Sequence, residues 1–151
     1  MIMLRGLFVS FLFFGVHANF SFVYADVEKT LVSWVMVQDR NIKAGSILTL
    51  QEGTKFDGIV FAEKMDDKWM AGSDNWTRSE NNQEKYPDWD AKMGSLVQMA
   101  IVYQKELISI FRDGKPYASY PAKNIDLLSS ENNFAVFGKR HMGGGGGIYG
   151  M

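Results

Sequence analysis

Hydrophobic and polar residues alternate most clearly in the middle of the chain. Leu96–Gln104 is rich in valine, isoleucine, methionine and tyrosine, and Leu107–Arg112 alternates apolar with polar residues. Asp113-Gly114 separates this second run from a third, and both residues tolerate the positive φ angles of a tight hairpin turn. The pattern predicts three consecutive antiparallel strands.

Five further short runs of apolar residues are bounded by glycine, aspartate or asparagine. They are Thr30–Val37, Ser46–Gln51, Gly58–Glu63, Lys68–Gly72 and Phe134–Lys139. Short strands at this spacing predict an all-β antiparallel sandwich or barrel. In the first run we place Val32, Trp34 and Met36 on one face, and we expect Trp34 and Trp69 to belong to the core.

The polar segment Ser73–Lys92 separates two of these blocks of strands. It contains only three scattered aromatic residues and shows neither the period of a strand nor that of a helix. We expect it to form one long surface loop. A loop of more than about 15 residues in a compact domain is usually functional or disordered.

The N-terminal residues have the three-part layout of a secretory signal peptide. Arg5 precedes the apolar run Gly6–Val16, and small residues that suit cleavage follow at Ala18 and Ala25. The alternative is a membrane anchor, but a run of eleven residues is shorter than the roughly 20 that span a bilayer. We predict a signal peptide over residues 1–25, cleaved after Ala25 or after Ala18, and a secreted, periplasmic or cell-envelope protein without membrane attachment after cleavage.

Charge and cysteine content narrow the class of protein further. The formal net charge is −1 and no predicted element carries a basic stripe, which argues against a nucleic-acid partner. The chain has no cysteine, so the core must stabilise the exported domain without disulfides. Small animal extracellular domains usually contain disulfides, and the composition therefore favours a bacterial exported protein.

Four segments of the chain carry a resemblance to a known family. They are KTLVSWVMV at 29–37, FDGIVFAEKMDDKWMAGSDNW at 56–76, LVQMAIVYQKELISIFRDGKPYASY at 96–120 and FAVFGKRH at 134–141. With these segments the chain resembles a bacterial laminin-G-like (LamG) domain of the concanavalin A-like lectin/glucanase superfamily. The resemblance implies an antiparallel jelly-roll β-sandwich, with the domain occupying residues 26–151.

The resemblance also exposes a departure from the family pattern. Such domains continue into a last strand that returns beside the first, and this sequence reaches Met151 before any such strand. The resemblance therefore implies either a C-terminally truncated domain or one that a partner strand completes, with an open sheet edge along Thr30–Val37. Open edges pair with other chains, and we expect self-association through this one.

Catalytic residues of the superfamily form the cluster Glu-x-Asp-x-x-Glu on one strand, and the sequence contains no such cluster. Asp88 and Asp90 would share a side if extended, but they lie in the polar segment without the flanking glutamate. His141 is the only histidine after the predicted signal peptide, so a Ser-His-Asp arrangement would rest on that residue alone. We expect no enzymatic activity.

Calcium is the metal that the resemblance suggests, because lectin-like sandwiches often bind it through loop carboxylates. The oxygen-rich candidates are Asp57, Asp74, Asp88 and Asp90, together with Asn75. Their spacing does not follow an ordered calcium loop such as the EF-hand. The alternative is that they are solvated surface acids.

Aromatic residues interleaved with polar ones give Ser73–Lys92 the composition of a carbohydrate site. Flat rings can stack on sugars while amides and charged groups bind the hydroxyls. The candidate ligand-binding residues are Trp76, Tyr86, Trp89, Asn75 and Arg78. The alternative is that the tryptophans anchor the loop to the sheet.

These patterns predict a secreted non-catalytic recognition module that binds a glycan or an extracellular protein through the loop of residues 73–92. Two alternatives stay open. One is a glucanase-like glycoside hydrolase with a degenerate site. The other is a structural fragment of a larger exported protein, in which the domain is a spacer.

Overall fold

The computed structural model describes residues 29–126, 128 and 131–143, and these residues form eight strands and one 3-10 turn. The strands are β1 (Lys29–Met36), β2 (Gly45–Glu52), β3 (Lys55–Phe61), β4 (Trp69–Ser73), β5 (Leu96–Gln104), β6 (Leu107–Arg112), β7 (Lys115–Pro121) and β8 (Phe134–Phe137). None of the described segments forms a helix long and apolar enough to cross a membrane. The predicted signal peptide of residues 1–25 and the end of the predicted truncated domain lie outside the described residues.

The strands form two antiparallel sheets of four strands each. Sheet A has the order β1-β5-β6-β7, and sheet B has the order β4-β3-β2-β8. Each predicted apolar run overlaps one of these strands. The prediction of an all-β antiparallel sandwich is therefore confirmed.

The turn at Asp113 and Gly114 sets the register of β6 and β7. Their φ angles are 50° and 73°, which is the left-handed region that a two-residue hairpin turn needs. Arg112 then lies opposite Lys115. The Asp113 carboxylate also accepts a hydrogen bond from the backbone N–H of Gln98 at 2.8 Å, so the turn is attached to β5 as well.

The core lies between the sheets and contains the side chains that alternate inward from both. From β5 these are Val97, Met99, Ile101 and Tyr103. Sheet B contributes Phe61 and Trp69, whose ring centroids are 4.8 Å apart. Trp69 is fully buried, so its predicted place in the core is confirmed.

Trp34 lies on the outer face of sheet A, so its predicted place in the core is wrong. It is 61% exposed, and Val32 and Met36 on the same face are each 40% exposed. Leu31 and Val35 point into the core instead. Both faces of this strand are apolar, and a period of two shows which residues share a face without showing which face is inside.

The outer faces of the two sheets differ in what covers them. On sheet B, the buried side chain of Gln51 exchanges two hydrogen bonds with the backbone of Met142, at 2.7 and 3.1 Å. The segment after β8 therefore crosses this face. On sheet A, Trp34 and Leu96 are 61% and 63% exposed.

A buried ion cluster joins the two sheets to the start of the long loop. Asp57 on β3 accepts hydrogen bonds from Lys29 Nζ on β1 at 2.5 Å and from Arg78 Nε at 2.8 Å. Arg78 also donates to the carbonyl of Phe56 at 3.0 Å and pairs with Asp74. Burial raises the pKa of Asp57 and lowers that of Lys29, while their opposite charges counteract both shifts. We name these four charged side chains, Lys29, Asp57, Asp74 and Arg78, the Asp57 cluster.

Trp34 and Trp69 provide a matched test of the core. Trp69→Ala should lower the free energy of unfolding by about 3–5 kcal/mol, because it empties a fully buried site. Trp34→Ala should change it by less than about 0.5 kcal/mol, because most of that ring faces solvent. Urea denaturation followed by circular dichroism, at a protein concentration low enough to keep the chain monomeric, measures both. Equal losses in the two variants would contradict the placement of Trp34 on the outer face.

Candidate functional site

The predicted long loop begins with a turn of unusual backbone conformation. Asp74–Trp76 forms a 3-10 turn directly after β4. Asn75 and Trp76 have φ angles of 49° and 54°, in the left-handed region that residues other than glycine rarely adopt. Thr77 holds the turn, because its N–H and its hydroxyl both donate to the carbonyl of Asp74, at 3.1 and 2.9 Å. Strain of this kind concentrates at functional sites.

Trp76 is the most exposed of the three loop aromatics, with 47% of its surface open. Its indole N–H donates to Glu63 Oε1 at 3.1 Å. Lys64 Nζ lies 4.9 Å from the centre of the ring, and the guanidinium carbon of Arg140 lies 5.6 Å from it. Cation–π contacts at these distances are favourable. The ring is therefore held in one orientation while much of it still faces solvent.

Arg140 connects Trp76 to the outer face of sheet B. Its guanidinium carbon lies 5.5 Å from the ring centre of Phe56, and it forms an ion pair with Glu63. Burial lowers the pKa of Arg140. Phe56 in turn stacks on His141, with centroids 4.9 Å apart and planes 18° apart. We name this group of residues, Phe56, Glu63, Lys64, Trp76, Arg140 and His141, the Trp76 cluster.

Glu63 has one carboxylate oxygen with no hydrogen-bond partner among the described residues. Its side chain is 9% exposed, and Oε1 binds both Trp76 and Arg140. Oε2 is buried and has no hydrogen-bond partner. A buried acceptor without a partner is uncommon in proteins, and this one lies beneath the surface of the Trp76 cluster.

Trp89 and Tyr86 are placed differently from Trp76. Trp89 is 4% exposed, and its ring centroid lies 5.6 Å from that of Phe61 and 5.8 Å from that of Trp69. Tyr86 is half-buried with its ring edge against Tyr117, and burial raises the pKa of its hydroxyl. For Trp89 the structure supports the alternative that the ring anchors the loop to the core.

Arg78 and Asn75, the other two predicted ligand-binding residues, also lie in different surroundings. Arg78 is 5% exposed and is bound within the Asp57 cluster, and its backbone N–H donates to Ser73 Oγ at 3.0 Å. Asn75 is exposed next to Trp76. The structure therefore brings only Asn75 and Trp76 together at the surface of the loop.

The four carboxylates predicted for calcium are each bound to a cationic side chain. The pairs are Asp57–Arg78, Asp74–Arg78, Asp88–Lys68 and Asp90–Arg112. Over residues 29–126, 128 and 131–143, no group of three or more His, Cys, Asp or Glu could hold a metal ion. The predicted calcium site is therefore not assembled in this part of the chain, because arginine and lysine bind the oxygens that calcium would need.

Glu63, Lys64 and Arg140 are the neighbours of Trp76 that sequence reasoning misses. The first two lie just after β3, and Arg140 lies after β8. They meet Trp76 because β3 pairs with β4 and because the segment after β8 crosses sheet B. No local pattern in the sequence links these positions, since the contacts depend on strand pairing between distant segments.

A comparison of the chain with protein families, with curated proteins and with solved structures finds no match. The resemblance to laminin-G-like domains therefore stays a prediction.

Acid should weaken the attachment of the loop through Asp74. Burial would raise the pKa of Asp74, but its hydrogen bond to Arg78 and the charge of Arg78 outweigh burial and lower it. A carboxyl whose pKa is lower in the folded state contributes stability above the unfolded value of about 3.9, and this contribution is lost as the pH falls through the folded value.

We therefore expect Asp74→Asn to destabilise the protein by a constant amount above about pH 4 and by a shrinking amount below it. Urea denaturation of the variant and of the unaltered protein across this range measures the difference. Glu84→Gln, an exposed change of the same charge in the same loop, serves as the control. A difference between Asp74→Asn and the unaltered protein that stays constant down to about pH 2 would contradict the ion pair.

Proposed function

We propose that the protein is a non-catalytic recognition module that binds glycans through the Trp76 cluster. The observation that carries the proposal is the state of Trp76, whose ring is fixed by Glu63, Lys64 and Arg140 and is still 47% exposed. A ring that is already ordered loses little conformational entropy when a ligand stacks on it.

Polar groups around the ring supply what a sugar needs in addition to stacking. Lys64 Nζ donates to Asn81 Oδ1 at 2.7 Å, so an ammonium and an amide lie together beside Trp76. Asn75 is exposed on the same turn. Donors and acceptors next to an aromatic face suit a ligand that alternates hydroxyls with apolar ring faces.

The carboxylates of the loop favour recognition over glycoside hydrolysis. Hydrolysis needs two carboxyl groups at a set separation, one of them available as a general acid. Asp74, Asp88 and Asp90 are instead bound to arginine or lysine. Under this proposal the loop binds a chain of sugars without cleaving it.

The wider assignment rests on the resemblance and on the sandwich. A pair of four-stranded antiparallel sheets is compatible with a jelly roll of the concanavalin A-like type, and we extend the proposal to a laminin-G-like domain. The N-terminal apolar run supports export to the cell envelope or beyond. A protein ligand at the same loop is the competing occupant.

Glycan binding should depend on Trp76 and not on other exposed aromatic residues. We expect Trp76→Ala to weaken binding at least about tenfold, because a stacked aromatic contact is lost. Phe137→Ala is the matched control, since Phe137 is 73% exposed on β8 and lies outside the loop. A glycan array identifies the sugar, and titration calorimetry with that sugar gives the dissociation constants.

Circular dichroism of each variant confirms that the fold is unchanged. Binding should also persist in the presence of a chelator, because the candidate calcium ligands are bound to arginine and lysine. The proposal fails if the unaltered protein binds no glycan on the array. It also fails if Trp76→Ala binds the sugar as tightly as Phe137→Ala does.

A further inference from the structure

Strand β1 has one edge that pairs with no other strand of the described part of the chain. Among the described residues it pairs only with β5, in a register without shifts from Lys29 to Met36. Its other side therefore presents unpaired N–H and C=O groups. The seven residues Thr30–Met36 carry no charge. An uncharged, regular edge is a template for pairing with another strand.

The other three sheet edges have features that prevent such pairing. β7 contains Pro116 and Pro121, which lack the backbone N–H that a new strand would need. All five residues of β4 are buried, and the carbonyl of Ala71 accepts a hydrogen bond from Ser79 Oγ at 2.7 Å. β8 is only four residues long. Proteins use prolines, coverage and short strands to protect edges, and among residues 29–126, 128 and 131–143 none of these protects β1.

The side chains beside the open edge are apolar as well. Val32, Trp34 and Met36 are 40%, 61% and 40% exposed on the outer face of sheet A. Leu96 on β5 lies opposite Met36 and is 63% exposed. A partner strand next to β1 would cover the side chains of β1 in this strip, Val32, Trp34 and Met36, in addition to the backbone, whereas Leu96 lies one strand further in.

We infer that a second copy of this chain pairs with β1 through its own β1. The two strands run antiparallel about a two-fold axis at Ser33, and sheet A continues across both copies as eight strands. Directly opposite residues in an antiparallel pair share a face. Val32 then faces Trp34 of the partner on the outer side, and Leu31 faces Val35 of the partner on the inner side.

The uncharged stretch selects both the partner and the register. Within β1 the uncharged residues are Thr30–Met36, centred on Ser33, so this register pairs all seven of them with one another; Lys29 then faces Val37, just beyond the strand. Moving the axis to Val32 would place Lys29 opposite Val35 inside the strand, and moving it to Trp34 would pair only the five strand residues Val32–Met36 with one another. A β-branched residue opposite an aromatic one is a favourable cross-strand pair, and the two-fold axis provides it twice.

Single cysteines test the register directly, because the chain contains none of its own. Val32→Cys and Trp34→Cys change exposed side chains, so both variants should fold. The two variants are purified from the cells that produce them, mixed in equal amounts and mildly oxidised. The mixture should form a mixed disulfide dimer in preference to either self-linked dimer. Ser119→Cys, exposed on the opposite edge strand of sheet A, should stay uncross-linked.

Sedimentation velocity over a range of concentrations tests the dimer itself. Trp34→Lys should raise the dissociation constant about tenfold, because it places a charge opposite Val32 at both symmetric positions. Leu96→Lys is the control, since it adds the same charge to the same face away from the edge, and it should leave the constant unchanged. The inference is wrong if the unaltered protein is monomeric throughout, or if self-linked dimers or Ser119→Cys dimers predominate. Glycan binding is measured separately, because Trp76 follows β4 of sheet B whereas β1 belongs to sheet A.

Discussion

The carboxylate of Asp57 is the group on which the placement of the sheets and the loop depends. It lies between the sheets, fully buried, and binds a cation from sheet A through Lys29 and a cation from the loop through Arg78. Removing one member would leave uncompensated charge in a medium where charge is poorly solvated. Because Arg78 follows Trp76 by two positions, the same contacts fix where the exposed ring emerges. The hydroxyl of Tyr120 donates to the carbonyl of Arg78 at 2.9 Å and adds a second attachment.

Local rules account for most of the fold. Turn chemistry at Asp113 and Gly114 and the alternation in β5 and β6 are short-range signals, and the structure confirms them. The face of β1 is different, because both of its faces are apolar. Which face turns inward depends on how the second sheet packs, and that information is not present in the strand itself. Trp34 is a large apolar residue, and the sequence therefore predicts a place in the core for it although it lies on the outer face.

The loop could be predicted as a unit, whereas the roles of its residues could not. Composition marks Trp76 and Trp89 as equivalent, but Trp89 packs on Phe61 and Trp69 while Trp76 lies over charged groups. The sequence also suggested the carboxylates as calcium ligands, because most of their cationic partners lie at distant positions in the chain and no local pattern shows them. Asp57 and Arg78 form one ion pair, although the sequence suggested a metal ligand and a sugar contact. The role of a side chain cannot be predicted from the sequence pattern alone when it depends on contacts between residues that are distant in the sequence.

The measurement that tests this account most directly is the effect of Asp57→Asn on stability and on the loop. The exposed pair Lys43–Asp66 offers a control through Asp66→Asn, since the Asp66 side chain is 75% exposed. We expect Asp57→Asn to lower the free energy of unfolding by about 3–5 kcal/mol, because two buried cations lose their shared partner. Hydrogen exchange at the backbone N–H of Arg78 should be faster in Asp57→Asn than in the unaltered protein. A loss no larger than that of Asp66→Asn, with unchanged exchange at Arg78, would contradict the central role of Asp57.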